Sequence, residues 1–217
     1  MQSSALSFNF KARYYKTGEI DASTKAIWIV LHGYGQLAQY FIRNFQVLEK
    51  HNICVIAPEG LSRFYTEDIQ SRMQTNNNRV GSSWMTRENR DMDIENNLAY
   101  LNELYVKEVR DATIPVTILG FSQGAATASR WALDGKIGFN RLILWAGILP
   151  PDMDFDTGKE ILHGKEVILV YGKHDPFLND SRFAEMKLLS EKLGIVPRVV
   201  EFDGAHQMNE QVLTGFI

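Results

Sequence analysis

Six short apolar runs set the frame for this chain: AIWIVL (26–31), ICVIA (53–57), IPVTILG (114–120), RLILWAG (141–147), EVILVYG (166–172) and PRVVEF (197–202). They are close to continuously apolar rather than alternating, and the intervals between them leave room for a helix. Strands of that kind are buried on both faces, which is the condition of a parallel sheet covered by helices. The clearest helical spacing lies in residues 91–110, where Ile94, Leu98, Leu101 and Tyr105 fall at steps of four, three and four, flanked by Glu95, Glu103, Lys107 and Glu108. Such a stripe predicts a helix that lays its apolar side on the sheet.

Two segments depart from the pattern. Leu6, Phe8, Phe10, Ala12 and Tyr14 alternate with Ser7, Asn9, Lys11 and Arg13 up to a Thr17-Gly18 turn, the period of a half-exposed antiparallel edge strand. Residues 60–92 are rich in Asn, Arg and Ser and show no period, so they read as a long substrate-side loop insertion without structure of its own. At 217 residues and 45% hydrophobic, with no repeat or linker, the chain reads as one α/β domain, 1–217, with an open, mostly parallel twisted sheet and helices on both faces. A net charge of −3 gives no electrostatic reason to expect a nucleic-acid partner. One cysteine, Cys54, makes no internal disulfide and excludes a cysteine-rich metal site. The N-terminus has no apolar run of signal-peptide length and no segment reaches ~20 apolar residues, so the expected setting is cytoplasmic, without integral membrane association. A homodimer stays open.

Chemistry enters at GFSQG, residues 120–124, directly after an apolar run and before the helical composition AATASRWAL. A nucleophilic serine on a sharp strand-to-helix turn needs small residues two places to either side, and Gly120 and Gly124 supply them. The plainer alternative is that Ser122 only caps the following helix. A serine hydroxyl attacks only when a base takes its proton, and the base needs an acid to fix its tautomer. Of five histidines, His206 in DGAHQM follows the last apolar run and so falls at the same sheet edge as Ser122; His174 is the competitor, while His51 and His163 read as surface polarity. Asp175 is the candidate acid, three residues beyond EVILVYG; Asp152, Asp154 and Asp156 fall in a polar loop and Asp203 beside a Gly204 turn. Serine, acid and histidine then run in the order 122, 175, 206.

Acyl transfer also needs donors for a developing oxyanion. The run AIWIVL ends in HGYGQ, where Gly33 and Gly35 free the backbone to turn inward. The backbone N–H groups of Tyr34 and Gln123 are the expected donors, and His32 is expected to orient the loop. A phosphate cradle is the alternative, but HGYG fits neither common glycine-rich phosphate motif.

With LHGYG (31–35), GFSQG (120–124), GKHDP (172–176) and GAH (204–206), the chain resembles the α/β-hydrolase superfamily, and within it the small phospholipase/carboxylesterase branch that includes acyl-protein thioesterases. The resemblance runs from about residue 26 to 210. It implies an α/β-hydrolase fold with no separate cap domain, a Ser122–Asp175–His206 triad, Tyr34 and Gln123 as oxyanion donors, no metal and no cofactor. It also implies a small-molecule acyl ester as substrate. Trp84 takes the place of a tryptophan that relatives carry before the mid-chain helix. GFSQGAA lacks a third glycine, and NNNRVGSSWMTR does not match the pattern associated with long lipid acyl chains, so substrate identity does not carry over. Phe64, Tyr65, Trp84 and Met85 are candidates to wall an acyl pocket, with packing of the loop onto the body as the alternative. Arg87 is a weaker candidate for an anionic group. A thioesterase, or a binding protein that keeps the fold without turnover, is the competing function.

Overall fold

The computed structural model describes residues 4–217. Its centre is a seven-stranded sheet of β1 (Tyr14–Thr17), β2 (Ala26–Leu31), β3 (Ile53–Pro58), β6 (Val116–Phe121), β7 (Arg141–Trp145), β8 (Glu166–Gly172) and β9 (Arg198–Phe202). The spatial order is β1-β3-β2-β6-β7-β8-β9, parallel except for β1, which pairs antiparallel with β3. Each of the six apolar runs became one of the parallel strands.

Side chains alternate across the pleat, so one strand feeds two cores. Ile27, Ile29 and Leu31 of β2 join the core beneath α4 (Arg90–Glu108), α5 (Gln123–Leu133), α6 (Phe155–Leu162) and α7 (Asp180–Leu193). Trp28 and Val30 join the opposite core under α1 (Ala38–Phe41), α2 (Gln46–Glu49) and α8 (Glu210–Thr214). Full burial of an aliphatic side chain of this size stabilises by about 1.5–3 kcal/mol, and every one of these five is at most 1% exposed.

Three expectations need correction. The edge strand begins at Tyr14, not Leu6. Tyr14 already pairs with Pro58, the last residue of β3; one further backbone bond, Glu59 N–H to Arg13 O at 3.1 Å, extends the pairing past β3, and Leu6 and Phe8 are 88% and 75% exposed. Residues 60–92 do carry structure: an antiparallel hairpin of β4 (Ser62–Tyr65) and β5 (Val80–Ser83) encloses α3 (Ile69–Thr75), whose N-cap Asp68 accepts from Ser71 N–H at 3.0 Å. The helix at 91–110 is α4, but its buried residues are Asn97, Leu101 and Leu104, so its contact face is rotated from the expected stripe and includes a polar side chain. Among the described residues, no helix is long and apolar enough to cross a membrane.

Strand order reverses between β2 and β6: the chain grows outward from β2 to β3, then returns to β2's other side. Loops leaving the carboxyl ends of strands on either side of such a reversal diverge and open a crevice there, the usual ligand position in open α/β sheets.

Candidate active site

Ser122 sits on that crevice, between the last residue of β6 and the first of α5, with φ 54° and ψ −118°. A serine in this region is strained by about 1–3 kcal/mol, and the surroundings have to hold it. They do so by hydrogen bonding and close approach. Ser122 N–H donates to Trp145 O at 2.8 Å. A Cβ on Gly120 would collide with Gly124 O and Ala125, and one on Gly124 with the carbonyl oxygens of Leu31 and His32, so α5 starts tight against both neighbouring strands.

Two and three strands further along, Asp175 follows β8 and His206 follows β9. His206 Nδ1 and Asp175 Oδ2 are 2.8 Å apart, with the acid 5% exposed. The other carboxylate oxygen accepts from Phe177 N–H at 2.9 Å, which fixes the carboxylate plane. The imidazole stands between two aromatic rings, buried Phe121 at 5.0 Å and exposed Phe177 at 4.7 Å. With Nδ1 committed to Asp175, Nε2 is the nitrogen left for chemistry. No hydrogen bond within 3.5 Å joins Ser122 Oγ to it; apo sites often make that contact only when substrate is bound.

The competing groups are engaged elsewhere. His174 pairs with Asp203 at 3.1 Å on the surface. Asp154 caps α6, and Asp152 receives Arg130 at 2.7 Å and Arg90 at 2.6 Å. Burial alone would raise the Asp152 carboxyl, but the Arg130 hydrogen bond and charge hold it below its ordinary range. The one thiol, Cys54, is buried and desolvation pushes it up to about 11, so it is no nucleophile near neutral pH.

In the loop after β2 the backbone donors are almost all spoken for. Gly33 N–H donates to Gln36 Oε1 at 2.8 Å, Gly35 N–H to Ser82 O at 2.9 Å and Gln36 N–H to Gly33 O at 3.3 Å. That leaves Tyr34 N–H, and Gln123 N–H in the orphan first turn of α5. Among the described residues neither has an acceptor in the chain. Both neighbour Ser122 through the backbone: a Cβ on Gly33 would lie 3.2 Å from Ser122 Cβ.

His32 anchors this loop. It is fully buried; Gly60 N–H donates to its Nε2 at 3.0 Å, so the proton is on Nδ1, which donates to Gly33 O at 2.7 Å. Desolvation lowers its pKa to about 4, against a smaller opposing pull from the Gly33 carbonyl, so the ring is neutral.

Trp84 is buried and packs against the loop after β2. It is 1% exposed, its ring lies 5.0 Å from His32, and its Nε1–H donates to His32 O at 2.8 Å. Met85 is held by its carbonyl, which accepts from Gln123 Nε2 at 2.9 Å, while Gln123 Oε1 accepts from Trp84 N–H at 3.1 Å. Tyr65 faces outward beneath Arg72, 3.8 Å from its ring. Phe64 is stacked on the exposed ring of Tyr34 at 5.1 Å. Sequence reasoning missed Asn97, whose Nδ2 donates to Trp84 O at 2.6 Å, and Phe177 beside His206. Asn97 carried no signal, since a lone Asn on an apolar helix face has no motif. Phe177 did, as the aromatic two residues after the candidate acid.

The strand order, its reversal beside a strand–serine–helix turn, and helices on both faces make this an α/β-hydrolase fold. The same architecture is found in acyl-protein thioesterase 2 from Zea mays (TM-score 0.70, 18% identity, covering 95% of this chain and 96% of that one). It recurs in esterase PE8 (0.67, 17%, 95% and 98%) and in the Bacillus cereus carboxylesterase (0.65, 16%, 94% and 91%). At such identities the likeness speaks for the fold. The phospholipase/carboxylesterase family model matches residues 17–214, and the chain belongs to that family. Among curated proteins none matches it significantly.

Proposed function

We propose that the chain is a serine hydrolase that cleaves carboxylic esters through an acyl-enzyme on Ser122. The observation that carries this reading is the strained Ser122 turn, which the surroundings hold in place at the same sheet edge as an Asp175–His206 hydrogen bond of 2.8 Å. A capping serine needs no positive φ. In the mechanism, Asp175 holds the His206 tautomer with Nε2 unprotonated, and Nε2 takes the Ser122 proton as Oγ attacks the acyl carbonyl. Tyr34 and Gln123 N–H groups receive the oxyanion. The protonated His206 then gives its proton to the leaving oxygen, and water, activated by the same imidazole, releases the acid. Exposed Tyr34 and Phe177, with half-buried Phe64 stacked on Tyr34, are the aromatic surfaces available to a substrate's apolar part. The maize neighbour is an acyl-protein thioesterase. A thioester offers the same carbonyl to the same donors, so acyl thioesters are the second class to assay.

The test is Ser122→Ala against p-nitrophenyl acetate and butyrate, with fluorophosphonate labelling of the unaltered chain. The expected result is a fall in kcat/KM of at least roughly 10³-fold and labelling at Ser122. Unchanged hydrolysis by the variant sinks the assignment.

A further inference from the structure

A concave surface beside the site is cationic. A cavity of about 880 Å³ lies between the β4–β5 hairpin and the segment from Gly35 to Asn44, lined among others by Arg13, Arg63, Arg79, Gln36, Gln39 and Asn44. Arg13 is balanced by buried Glu59 at 2.7 Å. Arg63 and Arg79 are exposed, and among the described residues neither has a carboxylate within 4.0 Å. At the rim, the Arg43 guanidinium lies 4.9 Å from the ring of Tyr40, another lining residue. The hairpin's own acids are occupied: Glu67 bonds Asn77, and Asp68 caps α3. In a chain of net charge −3, two uncompensated guanidiniums facing one groove run against the overall balance.

The groove is tied to the crevice. Gly35 and Gln36 line it and directly follow Tyr34, so at ~3.8 Å per residue the wall begins within about 8 Å of the Tyr34 Cα. Ser82 fixes the hairpin to the same two residues, its O accepting from Gly35 N–H at 2.9 Å and its N–H donating to Gln36 O at 3.1 Å. The groove therefore shares Gly35 and Gln36 with the loop that is assigned the oxyanion.

We propose that this groove binds a phosphate-bearing part of the substrate. The inference rests on the esterase reading and names its substrate class: esters that carry a phosphate monoester away from the scissile bond. Two unpaired guanidiniums match a phosphate dianion in charge and in their planar, forked donors, with Gln39 and Asn44 as neutral donors alongside. A monocarboxylate neutralises only one of the two, and a neutral ester neither.

The experiment has two arms. In the first, phenyl phosphate is titrated calorimetrically into the Ser122→Ala chain, where nothing turns over, and into the same chain carrying Arg63→Gln and Arg79→Gln. Binding that is lost in the triple variant is expected; absent binding, or equal binding in both, overturns the groove assignment. In the second, kcat/KM is compared for 4-(phosphonooxy)phenyl butyrate and 4-methoxyphenyl butyrate, which share acyl group and ring. The expected preference for the phosphate ester is about tenfold or more, shrinking toward unity in Arg63→Gln/Arg79→Gln and at high salt, and retained in part in Arg63→Lys/Arg79→Lys, which keeps the charge. An equal preference in the Gln variant overturns the proposal. If neither ester is cleaved while phenyl phosphate still binds, the esterase reading fails and the groove stands as an anion site. If both are cleaved without preference, the reverse holds.

Discussion

Lowering the pH isolates one buried side chain. His32 is neutral in the fold, with a pKa of about 4 against an ordinary 6.5, because its burial disfavours the charged ring. Between those two values the unfolded chain binds a proton that the folded chain refuses. Stability from this group is therefore fully present above pH 6.5 and is lost as pH falls toward 4. At ~1.36 kcal/mol per pKa unit the whole loss is about 3 kcal/mol, with a mid-window slope near ~1.4 kcal/mol per pH unit. Protonation would also end Nε2's role as acceptor for Gly60 N–H. The assay is urea unfolding between pH 7.5 and 4.5 for the unaltered chain and for His32→Gln, whose amide oxygen can still accept from Gly60 but does not titrate. The variant will be less stable throughout; the quantity of interest is the slope, since the remaining histidines are common to both proteins. The expected difference in slope between pH 6.5 and 5 is close to one proton's worth. Parallel curves over that interval would refute the neutral, buried assignment of His32.

Trp84→Phe removes the N–H that satisfies His32 O at 2.8 Å, leaving a buried carbonyl unpaired. The expected loss is about 1–3 kcal/mol, seen as a Tm lower by roughly 2–10 °C in a thermal melt, and an unchanged Tm would contradict the packing described. Gly124→Ala places a methyl group against the Leu31 and His32 carbonyl oxygens, the latter at 2.6 Å. A loss of about 1–3 kcal/mol in urea unfolding, together with weaker fluorophosphonate labelling, is expected; full labelling at full stability would contradict the tight start of α5. Asp175→Asn should keep the fold and lower kcat/KM for p-nitrophenyl butyrate by roughly 10³–10⁴-fold, because the imidazole then has no acid to set its tautomer. A loss below tenfold would point to another acid.

The parts of the fold that could be read from sequence are those where one physical requirement dominates. Five of the six parallel strands are buried along nearly their whole length and need apolar side chains on both faces, with the edge strand β9 largely exposed, and AIWIVL and EVILVYG are β2 and β8 to the residue. The Ser122 turn was legible because only small residues fit at Gly120 and Gly124, and the hydrogen-bonded pair Asp175–His206 was within reach because both follow strand ends. What failed was whatever depended on a partner. LSFNFKARYY has the alternation of a strand, but periodicity does not say where β3 stops. The hairpin strands SRFY and VGSS are short, with Ser and Gly where an apolar alternation would be sought, so 60–92 read as a loop. For Trp84 the sequence left pocket wall and loop packing open, because an aromatic in a polar loop fits either. Its burial comes from Asn97 and His32, residues 13 and 52 positions away.

The bridge between Gln36 and Ser82 has a mechanical consequence. Because the hairpin and the loop after β2 share backbone hydrogen bonds, and Gly81 has no side chain to hold them apart, the two are a single moving part. A ligand that levers the hairpin outward drags Gly35 and Gln36 with it and tilts the amide of Tyr34. On the proposed mechanism, widening the crevice and misaligning the Tyr34 donor are then the same event, so bulky substrates should suffer in turnover rather than in access.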